Sequence, residues 1–147
     1  MRLGAIMTRQ VVDLESATTI GRVRDATLDL EHRSVSGFVL RSSPSSADWL
    51  PWEAVISIGS DAITVQSVRT LTEQPKQPRS VSVDDVLASR VLSDRGVLMA
   101  SVAEIDFDSE TGLLTTITLA DGSSLRACDL LGSGSYATMF RGKEGST

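Results

Sequence analysis

The chain has 147 residues and a formal net charge of −5. This acidic balance argues against a general nucleic-acid binder, because such binding depends on clustered Lys and Arg. A single cysteine excludes an internal disulfide, and no apolar run approaches the roughly 20 residues of a membrane span. We therefore expect a cytoplasmic protein, or a soluble portion of a larger one, without membrane insertion.

A short helical turn and a strand are predicted at the start of the chain. Leu3, Ile6 and Met7 have the i, i+3, i+4 spacing of one apolar helical face. A strand is then predicted to begin at Val11-Val12.

Residues 23–40 are predicted to form a strand, an acidic turn and a second strand. Around Ala26, apolar and polar residues alternate with the period of two that a half-buried strand shows. Val23 is out of phase with Ala26, so we predict a β-bulge near Arg24 or Asp25.

Residues 42–48 are rich in Ser and Pro and are predicted to form a loop. Apolar structure resumes at residues 49–56, and a further strand is predicted at residues 62–68. Residues 72–79 are polar, contain two prolines and lack apolar periodicity, which is typical of a linker.

After the linker the same order of elements begins again. Residues 83–87 repeat the helical spacing, and residues 102–119 match residues 23–40 in character almost throughout. An Asp-Gly hairpin turn at residues 120–123 replaces the serine loop. The repeat period is about 80 residues before this turn and about 75 after it.

Many short strands with one helical turn per copy predict a mainly all-β protein of two tandem small antiparallel β-barrels. We expect the first barrel at residues 1–70 and the linker at residues 71–81. The second, divergent barrel is expected at residues 82–141, with a loose tail at residues 142–147.

The first half resembles a PRC-barrel domain over residues 3–65. Ile20-Gly-Arg-Val23, Gly37-Phe-Val39 and Pro51-Trp-Glu-Ala-Val55 carry most of the resemblance. Residues 83–140 are similar in pattern but depart in detail, and their assignment depends mainly on the internal repeat.

The resemblance implies a small β-barrel that usually has no catalytic activity. The family includes the cytoplasmic part of the photosynthetic reaction-centre H subunit and the C-terminal half of a ribosome-maturation factor. The tandem form is also similar to the cytosolic region of some magnesium-transporter-like proteins. No catalytic, cofactor-binding or metal-binding residues are carried over from the family.

Residues 131–143 resemble the glycine-rich loop of a protein kinase. A kinase also needs a strand lysine and two aspartates downstream, and the given sequence stops a few residues later. The segment aligns with residues 56–65 of the first half. We therefore expect a β-turn and a closing strand.

Other candidate sites are better explained as ordinary structure. Asp106, Asp108 and Glu110 fail the spacing of a calcium loop and fit a solvated strand face. His32 is the only histidine and has no cysteine or second histidine nearby, which argues against zinc and against a Ser-His-Asp site. Cys128 lies in an apolar stretch and is expected to be a buried thiol.

The two tryptophans are the most informative aromatic residues. Strand alternation places Trp49 and Trp52 on opposite faces, so one is expected in the core. The other is either exposed at a binding surface or buried as well. We expect partner contacts at Trp49, Pro51, Trp52 and Arg41.

These observations predict a non-enzymatic module that binds a protein partner or a second copy of itself, without cofactor or direct nucleic-acid binding. Two alternatives follow from the resemblance. One is a ribosome-associated assembly factor, and the other is a soluble regulatory part of an ion transporter.

Overall fold

The computed structural model describes residues 1–41, 47–76 and 79–142. The described chain is mostly β-strand, with two short α-helical turns and three single turns of 3-10 helix. This confirms the prediction of a mainly β protein. The predicted serine loop and tail largely lie outside the described residues. No helix among the described residues has the length and apolar character needed to cross a membrane.

The first half contains one helical turn and six strands. They are α1 (Leu3–Ile6), β1 (Gln10–Asp13), β2 (Thr18–Asp29), β3 (Ser34–Arg41), β4 (Trp49–Pro51), β5 (Val55–Ile58) and β6 (Ala62–Val65). The strands lie in the order β4-β3-β2-β1-β6-β5. Strands β1 and β6 are parallel, with Val11 opposite Ile63.

The second half contains one helical turn and eight strands. They are β7 (Ser80–Ser82), α2 (Val83–Val86), β8 (Val91–Ser93), β9 (Leu98–Met99), β10 (Val102–Phe107), β11 (Leu114–Leu119), β12 (Ser124–Arg126), β13 (Leu130–Ser133) and β14 (Thr138–Phe140). They form the orders β10-β11-β12 and β13-β14-β8-β9, while β7 joins the first-half sheet beside β2.

The two halves follow the same order of strand pairing when β9 and β10 together take the place of β2. Strands β8 and β14 are parallel, as β1 and β6 are, and Val91 lies opposite Thr138. The positive backbone φ of Thr8 (70°) recurs at Ala88 (66°). The internal repeat in the sequence is therefore a repeat of backbone structure.

Two small antiparallel β-barrels were predicted, but the sheets of the described residues are not closed, and each half contains one parallel strand pair. The strands form three open sheets. In the first half β4 and β5, the two ends of the strand order, do not pair with each other. In the second half the short β9 and β10 belong to different sheets, whereas β2 is continuous.

The predicted β-bulge in β2 is confirmed. The pairing of β2 with β3 shifts register between Val23 and Asp25. The shift lets both Val23 and Ala26 point into the core, where each is almost fully buried. The Asp-Gly hairpin is also confirmed, since it joins β11 to β12 with Gly122 at a φ of 88°.

The two halves share one continuous apolar core. The Trp52 ring lies 6.3 Å from Phe38 of its own half and 6.1 Å from Phe107 of the other half, measured between ring centroids. The Phe107 contact is edge-on, a favourable geometry for aromatic pairs. Trp52 therefore joins the two halves from within.

The halves are related by an approximate two-fold axis at the acidic turns. The Val35 amide donates to the Gly112 carbonyl at 2.8 Å, and the Leu114 amide donates to the Arg33 carbonyl at 2.9 Å. Each bond is the counterpart of the other, because Val35 corresponds to Leu114 and Arg33 to Gly112. The same reciprocity appears in the β7–β2 pairing and the bridge from Arg2 to Asp106.

Each half also caps the helical turn of the other half. Glu104 accepts a hydrogen bond at 2.9 Å from the Gly4 amide in α1. Asp25, its counterpart, accepts one at 3.1 Å from the Asp84 amide in α2, where Ser82 is the N-cap. Because the first amides of a helix have no partner within the helix, these acids satisfy groups that would otherwise need water.

Candidate functional site

Trp49 is a core residue and offers little surface to a partner. Its side chain is only 7% exposed. The indole Nε1 donates to the Thr27 hydroxyl at 3.3 Å, and the ring lies against Gly37. Of the two alternatives for the tryptophans, burial is therefore the one observed for Trp49.

The other three predicted contact residues do not share one environment. Trp52 is half-buried and lines a groove of about 490 Å³ beside β5. Pro51 is half-buried and pairs with Gly37 through β4. Arg41 is exposed at the end of β3.

The acidic turns have a structural role. Asp108 Oδ1 accepts hydrogen bonds from the amides of Glu110 at 2.8 Å and Thr111 at 3.3 Å. Asp29 does the same for the amides of Glu31 and His32 at the equivalent turn. The two carboxylates therefore fix their turns, as Asp commonly does.

The structure also brings His32 together with Asp29 and Glu31, a grouping that the sequence reasoning did not consider. One potential ligand atom from each lies within 4.8 Å of the others, although Glu31 and His32 are exposed. Burial raises the pKa of Asp29, but the hydrogen bonds from His32 and the backbone outweigh it and lower that pKa. His32 Nδ1 and Asp29 Oδ2 lie 2.7 Å apart, and this hydrogen bond raises the pKa of His32.

Cys128 was predicted to be buried, and this prediction is wrong. The residue lies in the 3-10 turn Ala127–Asp129, which directs Ala127 into the core and leaves Cys128 exposed. The prediction assumed that an apolar stretch buries its residues. In a 3-10 turn, unlike a strand, the side chains do not alternate strictly between two faces, so a neighbour of a buried residue can be exposed.

The glycine-rich segment is a β-turn and closing strand, as predicted. The Gly134 amide donates to the Ala137 carbonyl at 3.1 Å, just as Gly59 donates to Ala62 at 2.9 Å in the first half. The turn joins β13 to β14.

Beside this turn lies a crevice of about 690 Å³. One wall is formed by β7 and the end of α2, including Asp85, and the other by the turn between β13 and β14, including Gly134 and Tyr136. Ser89 and Arg90 also line the space. We call this space the second-half crevice.

The equivalent space in the first half is spanned by the side chain of Arg9. Its Nη1 donates to the Gly59 carbonyl at 2.8 Å and its Nη2 to the Ala5 carbonyl at 3.1 Å. Arg9 thereby ties the helical turn α1 to the hairpin between β5 and β6.

Ser89 stands in the second half where Arg9 stands in the first. Both amides bond to the preceding helical turn, to Ile6 and Val86 respectively, and both carbonyls accept from the next strand. The Ser89 hydroxyl donates to the Val86 carbonyl at 2.6 Å and bonds to the Thr138 hydroxyl at 2.6 Å. The short side chain is thus held at the base and leaves the crevice open.

Tyr136 gives this crevice an exposed aromatic edge. Its side chain is 67% exposed, and the guanidinium carbon of Arg90 lies 5.2 Å from the ring centroid. This surface was not predicted from the sequence. The replacement of Arg9 by Ser89 at equivalent positions of the repeat is the signal that could have found it.

Residues 2–71 match the family model of the PRC-barrel domain. The resemblance stated from the sequence is therefore confirmed for the first half, and the second half lies outside the match. A comparison of the chain with curated proteins finds no significant match.

Proposed function

We propose that the protein is a non-enzymatic interaction module of two PRC-like units that binds a protein partner through the second-half crevice. The assignment of the second half as a divergent PRC-like unit is supported by its strand order and by the equivalent registers of the β1–β6 and β8–β14 pairs.

The single observation that carries the proposal is the opening of this crevice in only one of two equivalent halves. In the first half Arg9 fills the space with a structural contact, whereas in the second half Ser89 leaves it open beside the exposed Tyr136. Exposed tyrosines are common at binding surfaces, because the ring supplies a large contact area at low entropic cost.

The chemistry of the lining supports binding rather than catalysis. Its polar groups are mainly serine hydroxyls with Asp85 and Arg90. The one histidine, His32, lies in the first acidic turn and bonds to Asp29, so it is not placed to activate a serine.

The test is site-specific cross-linking in native cells. A photo-reactive phenylalanine analogue at position 136 is expected to capture one defined protein, or a second copy of this chain, and excess untagged protein should suppress the product. The control position is Thr115, which is exposed on β11. Capture of ribosomal proteins or of a transporter subunit would identify the corresponding alternative function.

The proposal is overturned if positions 136 and 115 give the same products and sedimentation shows only monomer. The measurement is made on residues 1–147 together, so both halves of the repeat are present in the test.

A further inference from the structure

We infer that the second-half crevice receives an arginine side chain of the protein partner, in the manner in which Arg9 fills the equivalent space of the first half. This inference depends on the proposed function, because it names the chemistry that the same surface recognises.

Arg9 provides an internal template for the contact. Its guanidinium reaches two backbone carbonyls on opposite walls, at Gly59 and Ala5. A guanidinium suits such a span, because its donors are arranged in a planar fork and point in several directions at once.

The second-half crevice presents the same walls with two added charges, Asp85 on the helical-turn wall and Arg90 at the rim. Gly134 stands at the position of Gly59, and Asp85 stands at the position of Ala5. Asp85 therefore supplies a carboxylate that the template lacks, and charge-assisted hydrogen bonds between arginine and carboxylate are stronger than neutral ones.

Ser89 does not compete for this space. Its hydroxyl is engaged with the Val86 carbonyl and the Thr138 hydroxyl at the base of the crevice. The position that Arg9 occupies in the first half is thus left to a side chain from outside.

Tyr136 and Arg90 modify the recognition. Tyr136 already carries the Arg90 guanidinium against its ring, which marks the ring as a cation-binding face. Arg90 is also a like charge at the rim, so it opposes a second cation. The residue equivalent to Arg90 in the first half is Gln10, and Arg90→Gln is therefore expected to strengthen binding by up to about five-fold, the usual size of an interaction between exposed charges.

The experiment uses the full chain, labelled with ¹⁵N, and blocked arginine (acetyl-arginine amide) as the probe. Saturable shifts are expected at the amides of Asp85, Ser89 and Gly134, with a dissociation constant on the order of millimolar. Blocked lysine at matched ionic strength is expected to bind several-fold more weakly, because an ammonium cannot reach both walls as a fork.

Two variants test the position of the probe. Ser89→Arg rebuilds the first-half contact within the chain and should weaken probe binding at least ten-fold, or by about 1.4 kcal/mol. Ser124→Arg adds the same charge on exposed β12 and should leave binding unchanged. Asp85→Ala should weaken binding several-fold while the remaining spectrum stays that of the folded protein.

A converse variant keeps the inference testable if Ser89→Arg disturbs the fold. Arg9→Ser opens the first-half space and should create a second, weaker set of probe-induced shifts at Ala5 and Gly59. It is weaker because Ala5 has no carboxylate.

The inference is overturned if no saturable shift occurs, or if lysine binds equally well and Ser89→Arg has no effect. If cross-linking captures a partner but the probe does not bind, the proposed function stands and the arginine inference falls. If the probe binds as expected but no partner or self-association is found, the site stands and the proposed function falls.

Discussion

The Trp49 ring lies so close to Gly37 that a β-carbon on Gly37 would come within 2.5 Å of the indole. At the equivalent positions of the second half, the larger side chain lies on the other strand. Thr116 corresponds to Gly37, and the small Ser124 corresponds to Trp49, so the bulk has moved from one strand to its neighbour. In the first half, the position of Trp49 therefore requires glycine at position 37.

Gly37→Ala is therefore expected to destabilise the protein by about 1–3 kcal/mol, because over-packing forces shifts in the surrounding core. A β-carbon at Gly37 would also lie 2.6 Å from the Leu50 carbonyl oxygen, which cannot easily move within β4. Urea denaturation followed by tryptophan fluorescence measures the change.

Gly132→Ala is the matched control, since a β-carbon there meets no atom within 4 Å. It should be neutral or slightly stabilising, because alanine lowers the entropy of the unfolded chain. Equal stabilities for the two variants would contradict the packing account of Trp49.

Glu104→Ala is expected to destabilise the protein by about 1 kcal/mol, the usual cost of losing a helix N-terminal cap. Glu104 accepts from the Gly4 amide at 2.9 Å and from the Ile105 amide at 3.0 Å. Hydrogen exchange should accelerate at both amides. Glu53→Ala, at an exposed position, is the control.

Asp25→Ala is expected to cost at least as much as Glu104→Ala, because Asp25 accepts three hydrogen bonds. The donors are the Ser82 hydroxyl and the amides of Asp84 and Ala26. The faster exchange should appear in α2 rather than α1. Exchange that increased in α1 instead would show that the reciprocal capping is misassigned.

The separate fragments 1–76 and 77–147 are expected to be unfolded or aggregated alone and to regain structure when mixed. Helical turn α1 is capped by Glu104, and Trp52 packs on Phe107, so each fragment loses part of its core without the other. Circular dichroism and sedimentation of the fragments and their mixture make the measurement. A cooperative thermal transition in fragment 1–76 alone would contradict this expectation.

The Asp29–His32 pair should make stability depend on pH in two directions. His32 has a raised pKa, so its contribution is full below its ordinary pKa of 6.5 and is lost as pH rises through the folded value. Asp29 has a lowered pKa, so its contribution is present above 3.8 and is lost as pH falls through the folded value. The pair therefore stabilises most between these limits.

An NMR titration of the His32 ring should give a pKa above the ordinary value, and Asp29→Asn should return it toward that value. In the native protein, the stability that this pair contributes should fall as the pH rises above neutral. In His32→Gln that fall should be absent. An unshifted His32 titration in the native protein would contradict the contact.

The features that could be predicted from the sequence are those that a local pattern encodes. Val23 and Ala26 do not fit one strand alternation, which predicted the bulge. The Asp-Gly pair predicted the β11–β12 hairpin. The repeat predicted two equivalent halves because equivalent side chains direct equivalent strands.

The remaining features depend on contacts between distant parts of the chain. Burial of Trp49 is decided by the absence of a side chain at Gly37 on the neighbouring strand. The second-half crevice exists because the long side chain of Arg9 is replaced by the short Ser89 at the equivalent position. Apolar periodicity carries no information about the length of a polar side chain. The reciprocal capping joins residues about 60 to 100 positions apart.

The contact of Trp52 with Gly112 has a consequence for how the two copies recognise each other. A β-carbon on Gly112 would lie 2.8 Å from the indole, while Arg33, its counterpart, donates to the Leu130 carbonyl beside the small Ala127. Two first halves would bring the indole against Arg33, and two second halves would leave Ala127 facing Gly112 across a void. At this contact each half therefore presents a residue that fits the other half, and a pair of identical halves would lose that fit.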